Sequence, residues 1–192
     1  MIRAVLGGSF DPVHDGHVAL ATHLLHRGLA DRLVVVPARI SPHKNRVHAG
    51  ADQRLAMVRL AFAHEPRVTV DDFEVNRPGP SFTVDTLRHL VAGHPNDRWC
   101  LVIGADHLAT FDTWHEPAEI VAMARLLVYT RRGYPASAPA SVAADRIVMV
   151  EDFHEPVSSS RIRGILAEGA GQVPDLPADV LAFIRAHNLY RT

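Results

Sequence analysis

Short apolar runs alternate with longer segments in which apolar positions recur every three or four residues. The first run, "AVLGG" at 4–8, reads as a buried strand, and "HVALATHLLHRG" at 17–28 as a helix closed by Gly28. "RLVVVP" (32–37) predicts a second strand, rich in β-branched residues and stopped by Pro37. After the polar loop "ARISPHKNRVHAG", residues 52–65 predict a helix with an acidic first turn and 67–72 a weaker strand. The breaker-rich "NRPGPSF" leads into a helix over 83–94 that Ser81 or Thr83 is placed to cap. Three further strands are predicted at 99–104, 125–130 and 146–151, with one or two helices between 105 and 124, broken near "WHEP". The segment before the last of these strands, "RRGYPASAPASVAAD", reads as a flexible loop or a local insertion. A helix at 158–169 opens on serines and closes at Gly169, and a last one at 177–190 has Pro177 in its first turn.

Strands alternating with helices, the strands apolar throughout, predict an α/β fold: a parallel sheet covered on both faces. A chain of 192 residues suffices for one sizeable core. The expectation is a single domain over 1–192, with the C-terminal helical part (158–192) packed on it. In such sheets ligands bind beyond the carboxyl ends of the strands. "GGSFDPVHDGH" (7–17) occupies that position after the first strand.

Composition narrows the function classes. Apolar residues make up 47% and charged residues 21%, as in an ordinary globular protein. A formal net charge of −1 argues against a non-specific nucleic-acid binder, which needs a basic excess. Cys100 is the only cysteine, so no intrachain disulfide forms, which fits a reducing cytoplasm. Neither a secretory signal nor a run of membrane-spanning length is visible, and the expectation is a cytoplasmic protein away from membranes. The 13 histidines are scattered, and only a cluster would invite a metal.

Five groups carry candidate chemistry. In "GGSFDPVHDGH", Gly7 and Gly8 would let the backbone turn and approach a ligand, while Phe10 and Pro12 stiffen the turn. His14 and His17 flank a helix start, where backbone N–H groups and imidazoles can receive phosphate oxygens. The stretch is neither a Walker A loop nor a Gly-x-Gly-x-x-Gly fingerprint. His-x-x-His would give a zinc ion two ligands and no third nearby, so no metal site is expected. "VSSSRIRG" (157–164) gathers hydroxyls and Arg163 at a second helix start, also suited to phosphate; an ordinary cap with exposed arginines reads equally well alone. Lys44 in "SPHKN" offers a point charge for a polyphosphate or is a solvated loop lysine. Asp106 in "IGADHL" is placed to accept from ribose hydroxyls, or is simply a first-turn acid. Trp114 and Phe82 are candidates to stack on a planar ring, or core aromatics.

Together these groups resemble the nucleotidyltransferases with a His-x-Gly-His motif, and within them the bacterial nicotinate-nucleotide adenylyltransferases. "GGSFDPVHDGH" and "VSSSRIR" resemble the two phosphate motifs; "PGPSFTVDTL", "GADHLATFDTW" and the terminal "LYR" resemble the specific branch. The resemblance implies a Rossmann-like doubly wound sheet and one reaction, in which the phosphate of nicotinate mononucleotide attacks the α-phosphorus of ATP and displaces pyrophosphate. It implies that His14, His17, Lys44 and Arg163 serve catalysis. Gly8, Ser9, Phe10, Gly104, Asp106, Ser159 and Ser160 would join His14, His17 and Arg163 around ATP. Ser9, Phe10, Lys44, Thr83, Trp114 and His115 would hold the acceptor, with magnesium (Mg2+) carried by the triphosphate. His115 stands where the family often has an aromatic; as a cation it would favour the nicotinate carboxylate, and it reads equally as a neutral surface residue. Ser41 replaces the first proline of the usual double-proline loop before Lys44. Nicotinamide mononucleotide as acceptor, and a non-catalytic nucleotide-binding regulator, stand as the alternatives. A homo-oligomer is compatible with all of these.

Overall fold

A computed structural model describes residues 1–41, 47–130, 139–153, 157–169 and 171–191. Six strands form one sheet: β1 (Ile2–Gly8), β2 (Arg32–Pro37), β3 (Val68–Val70), β4 (Arg98–Gly104), β5 (Ala124–Tyr129) and β6 (Ile147–Val150). Every pairing is parallel and the spatial order is β3-β2-β1-β4-β5-β6. This is the doubly wound order, with its switch point between β1 and β4.

Side chains alternate along each strand between two cores. Ala4, Leu6, Leu33, Val35, Cys100, Val102 and Leu127 face one, Val5, Val34, Val36, Leu101, Ile103, Leu126 and Val128 the other. The first core is closed by α1 (Asp15–His26), α2 (Ala51–Ala61), α7 (Ser159–Ala167) and α8 (Ala178–Ala186), which bury Leu24, Met57, Ile162 and Ile184 there. The second is closed by α4 (Thr83–Gly93) and α6 (Pro117–Met123) through Leu87, Leu90 and Ile120. Two four-residue helices, α3 (Phe73–Asn76) and α5 (Ala105–Leu108), follow β3 and β4.

The helical spacing placed the long helices within a few residues. It did not reveal α3, which is too short to show a period. The region 105–124 breaks twice: at a 3-10 turn over Phe111–Thr113, and at Glu116, whose φ of 54° precedes Pro117. The last helix ends at Ala186, four residues short of the expected Tyr190, because Asn188 and Tyr190 adopt left-handed backbone (φ 51° and 62°). Of the expected loop before β6, residues 131–138 lie outside the described residues, and Ala144–Arg146 forms a 3-10 turn. No described helix is long and apolar enough to cross a membrane.

Candidate functional site

A cleft of about 450 Å³ opens over the carboxyl ends of β1, β4 and β5. One wall carries Gly8, Ser9, Phe10, His14, His17 and Ser158 to Ser160; Gly104, Asp106 and Tyr129 line it beside β4 and β5; Ser81, Thr83, Thr86, Glu74 and Trp114 line it too. Residues far apart in sequence are gathered here because the crossover places the β1–α1 and β4–α5 connections side by side.

The turn after β1 is built differently from the sequence expectation. Gly7 and Gly8 belong to the strand, and the left-handed residue is Phe10, with φ 47°. Gly8 matters for space instead: a Cβ there would stand 3.2 Å from the Phe10 ring. The Phe10 ring meets His17 edge-on at 4.9 Å, and His17 lies 3.8 Å from His14, centroid to centroid. His14, the residue before α1, is buried, and its backbone N–H donates to His17 Nδ1 at 3.2 Å. A ring nitrogen that accepts carries no proton, so the His17 proton sits on Nε2. The ring is thereby fixed as a donor at its outer nitrogen. The Ser9 hydroxyl, also buried and lining the cleft, has no hydrogen-bond partner among the described residues.

Beneath this turn lies a polar clamp that the sequence did not disclose. The Asp11 carboxylate, 2% exposed, accepts four hydrogen bonds: from His48 N (2.8 Å), His48 Nδ1 (3.2 Å), Ala49 N (3.0 Å) and Tyr190 Oη (2.8 Å). Burial alone would push this carboxyl up. The donors outweigh it and hold the group below the usual carboxylate range. Arg54, 1% exposed, donates to the carbonyls of Ser9 (2.7 Å), Ala38 (2.6 Å), Arg39 (3.0 Å) and Ala49 (3.1 Å). Burial lowers its guanidinium, and the nearby Asp11 charge opposes that. Tyr190 is pushed well above an ordinary phenol by burial and by Asp11. Asp11 was in plain sight within the first motif, but nothing in its neighbours marks it as buried. Arg54 sits in an amphipathic helix, where an arginine normally faces water.

The second phosphate candidate locks onto the same turn. Ser158 caps α7 by accepting from Arg161 N at 3.3 Å, as expected. Ser159 Oγ donates to Pro12 O at 3.0 Å. Arg163 donates to Asp11 O (2.6 Å) and to Ser160 Oγ (3.1 Å), and it is not part of the cleft wall. In this arrangement its guanidinium ties α7 to the turn rather than pointing to a ligand. Lys44 lies outside the described residues.

At the other end, α4 begins after Phe82, and no side chain caps it. Ser81 Oγ instead accepts from Arg39 N at 3.0 Å, and Thr83 is the first helical residue. Trp114 packs on Phe111 and His107 (5.3 and 5.9 Å between centroids) and lines the cleft. Its neighbour His115 does not line it. The His115 ring lies 4.4 Å from Phe82, and its Nε2 pairs with Glu116 at 3.1 Å. Consecutive side chains thus serve different surroundings, and left-handed Glu116 turns the chain after them into α6. A Cβ at Gly104 would push the Asp106 carboxylate out of its present place. Among the described residues no three His, Cys, Asp or Glu side chains are grouped to hold a metal ion.

Comparison with known proteins places this geometry. The cytidylyltransferase-like family description matches residues 5–165. A Solibacter usitatus protein named "Probable nicotinate-nucleotide adenylyltransferase" is 40% identical over 193 residues, covering 99% of this chain and 100% of its own. A Roseiflexus protein of the same name is 37% identical, covering 97% and 96%. Among solved structures, the Plasmodium falciparum nicotinic acid mononucleotide adenylyltransferase complexed with NaAD superimposes with a TM-score of 0.77. It covers 98% of this chain and 97% of its own at 18% identity, a likeness of fold.

Proposed function

Since the chain belongs to the cytidylyltransferase-like family, among its nicotinate-nucleotide adenylyltransferases, we propose that it transfers the adenylyl group of ATP to nicotinate mononucleotide. The products are nicotinate adenine dinucleotide (deamido-NAD) and pyrophosphate, a step of NAD biosynthesis. The observation that carries the reading is the convergence of the His14–His17 pair, the serines of α7 and the Gly104–Asp106 turn on one cleft. Such a cleft fits a nucleoside triphosphate at one end and leaves room at Thr83 and Trp114 for a second, planar base.

A phosphate oxygen of the acceptor attacks the α-phosphorus, the bond to the β-phosphate oxygen breaks, and pyrophosphate leaves with the electron pair. No protein nucleophile is needed. Catalysis is positioning and charge stabilisation. His17, its proton held on Nε2 by the His14 N–H, donates to the phosphate oxygens on which negative charge builds. His14 sits against it and gives the second imidazole. Ser9 and Ser160 offer hydroxyls to the phosphates, while the Ser159 hydroxyl is held by Pro12 O, and Asp106 accepts from a ribose. The phosphate end is made of N–H and hydroxyl donors, which suit phosphate oxygens and not a metal cage. Magnesium would therefore arrive with ATP, held by phosphates and water, and neutralise triphosphate charge. On this reading the protein works in the cytoplasm.

His115 packs on Phe82, pairs with Glu116 and does not line the cleft, so nicotinamide mononucleotide stays the second reading. Pyrophosphate release from ATP and magnesium, measured in parallel with both mononucleotides, tests the proposal. Release favouring the acid supports it. Equal release removes the nicotinate assignment, and none with either supports a non-catalytic nucleotide binder.

A further inference from the structure

Glu74 has no part in the chemistry above, yet it stands in the cleft wall with Ser81, Thr83 and Thr86. It lies on α3 and is 9% exposed. Thr86 Oγ1 donates to its carboxyl at 2.5 Å and the Ser81 hydroxyl donates as well. No lysine, arginine or histidine among the described residues forms an ion pair with it. A carboxyl buried against neutral hydroxyls is an odd wall for a pocket that is to admit a base bearing a carboxylate. If ionised it would repel that carboxylate across a medium that screens poorly.

The groups around it do not neutralise it. Asp71, at the end of β3, adds to the cost of ionising it. Arg77 acts in the opposite sense, but its Nη1 is 2.6 Å from Asp85 of α4. Arg39, from beyond β2, spends its Nη1 on Val75 O. His89 of α4 stacks on Phe73 at 4.1 Å and stands 3.7 Å from Asp71. Arg59 of α2 pairs with Asp72, and His107 lines the cleft. Burial pushes the Glu74 carboxyl up, past what the hydroxyls of Thr86 and Ser81 take back.

We propose that Glu74 sets acceptor specificity: as a neutral carboxyl it lets the cleft take a pyridine bearing a carboxylate, and once ionised it repels that acid but not the corresponding amide. This rests on the acceptor reading above. Selectivity is therefore pH-dependent, and Glu74 is the group that titrates.

The test is KM and kcat for nicotinate and nicotinamide mononucleotide, from acid to mildly alkaline pH, in the wild type and in Glu74→Gln. Both acceptors carry the same phosphate, so its titration cancels in the ratio of their KM values. In the wild type the acid-to-amide KM ratio should rise about tenfold as pH climbs above the ordinary carboxylate range, with the KM for ATP unchanged. In Glu74→Gln the ratio should stay flat at its low-pH level. Thr86→Val removes a donor to the ionised form and should move the rise to higher pH, which keeps the inference testable if the glutamine variant fails to fold. Turnover of the acid with a flat wild-type ratio, or the same rise in Glu74→Gln, overturns the inference alone. No turnover of either acceptor overturns the acceptor reading, and the inference with it.

Discussion

Replacing Asp11 by Asn tests whether the turn that carries the histidines is held by a buried charge. The carboxylate uses both oxygens twice, Oδ1 for Ala49 N and Tyr190 Oη, Oδ2 for the backbone and ring nitrogens of His48. An amide keeps one oxygen and turns the other into a donor, so two buried donors face a third. Hydrogen bonds to a charged group are worth roughly 1.5–3 kcal/mol each. Arg54, whose guanidinium the Asp11 charge favours, loses that support as well. Release of the carboxylate from its burial cost offsets part of this, leaving a loss of about 3–5 kcal/mol. That is a large share of the roughly 5–15 kcal/mol that holds a domain folded.

Urea unfolding followed by tryptophan fluorescence measures it, and pH gives the signature. The folded Asp11 carboxyl titrates below its unfolded value, so its contribution is fully present above about pH 4 and is lost as pH falls through the folded value. The stability gap between wild type and Asp11→Asn should therefore close in acid. A gap under about 1 kcal/mol at neutral pH, or one that persists unchanged in acid, would refute the assignment of a charged clamp.

His17→Ala should lower kcat by about 100-fold or more while leaving the urea midpoint near wild type, since the ring lies at the cleft and its loss strands no buried charge. Gly104→Ala should raise the KM for ATP at least about tenfold in initial-rate assays, because the new methyl must displace Asp106. Arg163→Ala should lower stability by about 1–3 kcal/mol in urea, because Asp11 O loses a charged donor, and should raise the ATP requirement only indirectly, by freeing the Ser160 end of α7 from the turn. An unchanged midpoint would show that the guanidinium does not hold the turn.

The sequence disclosed the frame because the frame rests on periodicity. Strand β2 falls on the predicted residues 32–37, and Ser158 caps α7 where three serines announced a helix start. What it hid depends on pairing across distance. Arg54 and Asp11 are ordinary polar residues until the fold brings Tyr190 and the 48–49 segment over them. Phe10, not the adjacent glycines, takes the left-handed turn, and its ring lies over Gly8 where a side chain would crowd it. His115 reads as a cleft residue beside Trp114 until the fold sets its ring against Phe82 and Glu116. Glu74 lay in a four-residue helix with no period to find.

The most direct measurement of the central claim is the fate of the α-phosphorus. ATP labelled there is incubated with magnesium, nicotinate mononucleotide and the protein, and the products are separated and weighed by mass spectrometry. The account predicts the label in nicotinate adenine dinucleotide, with one pyrophosphate released for each dinucleotide formed. Label that stays in ATP, or appears only in AMP, would contradict it.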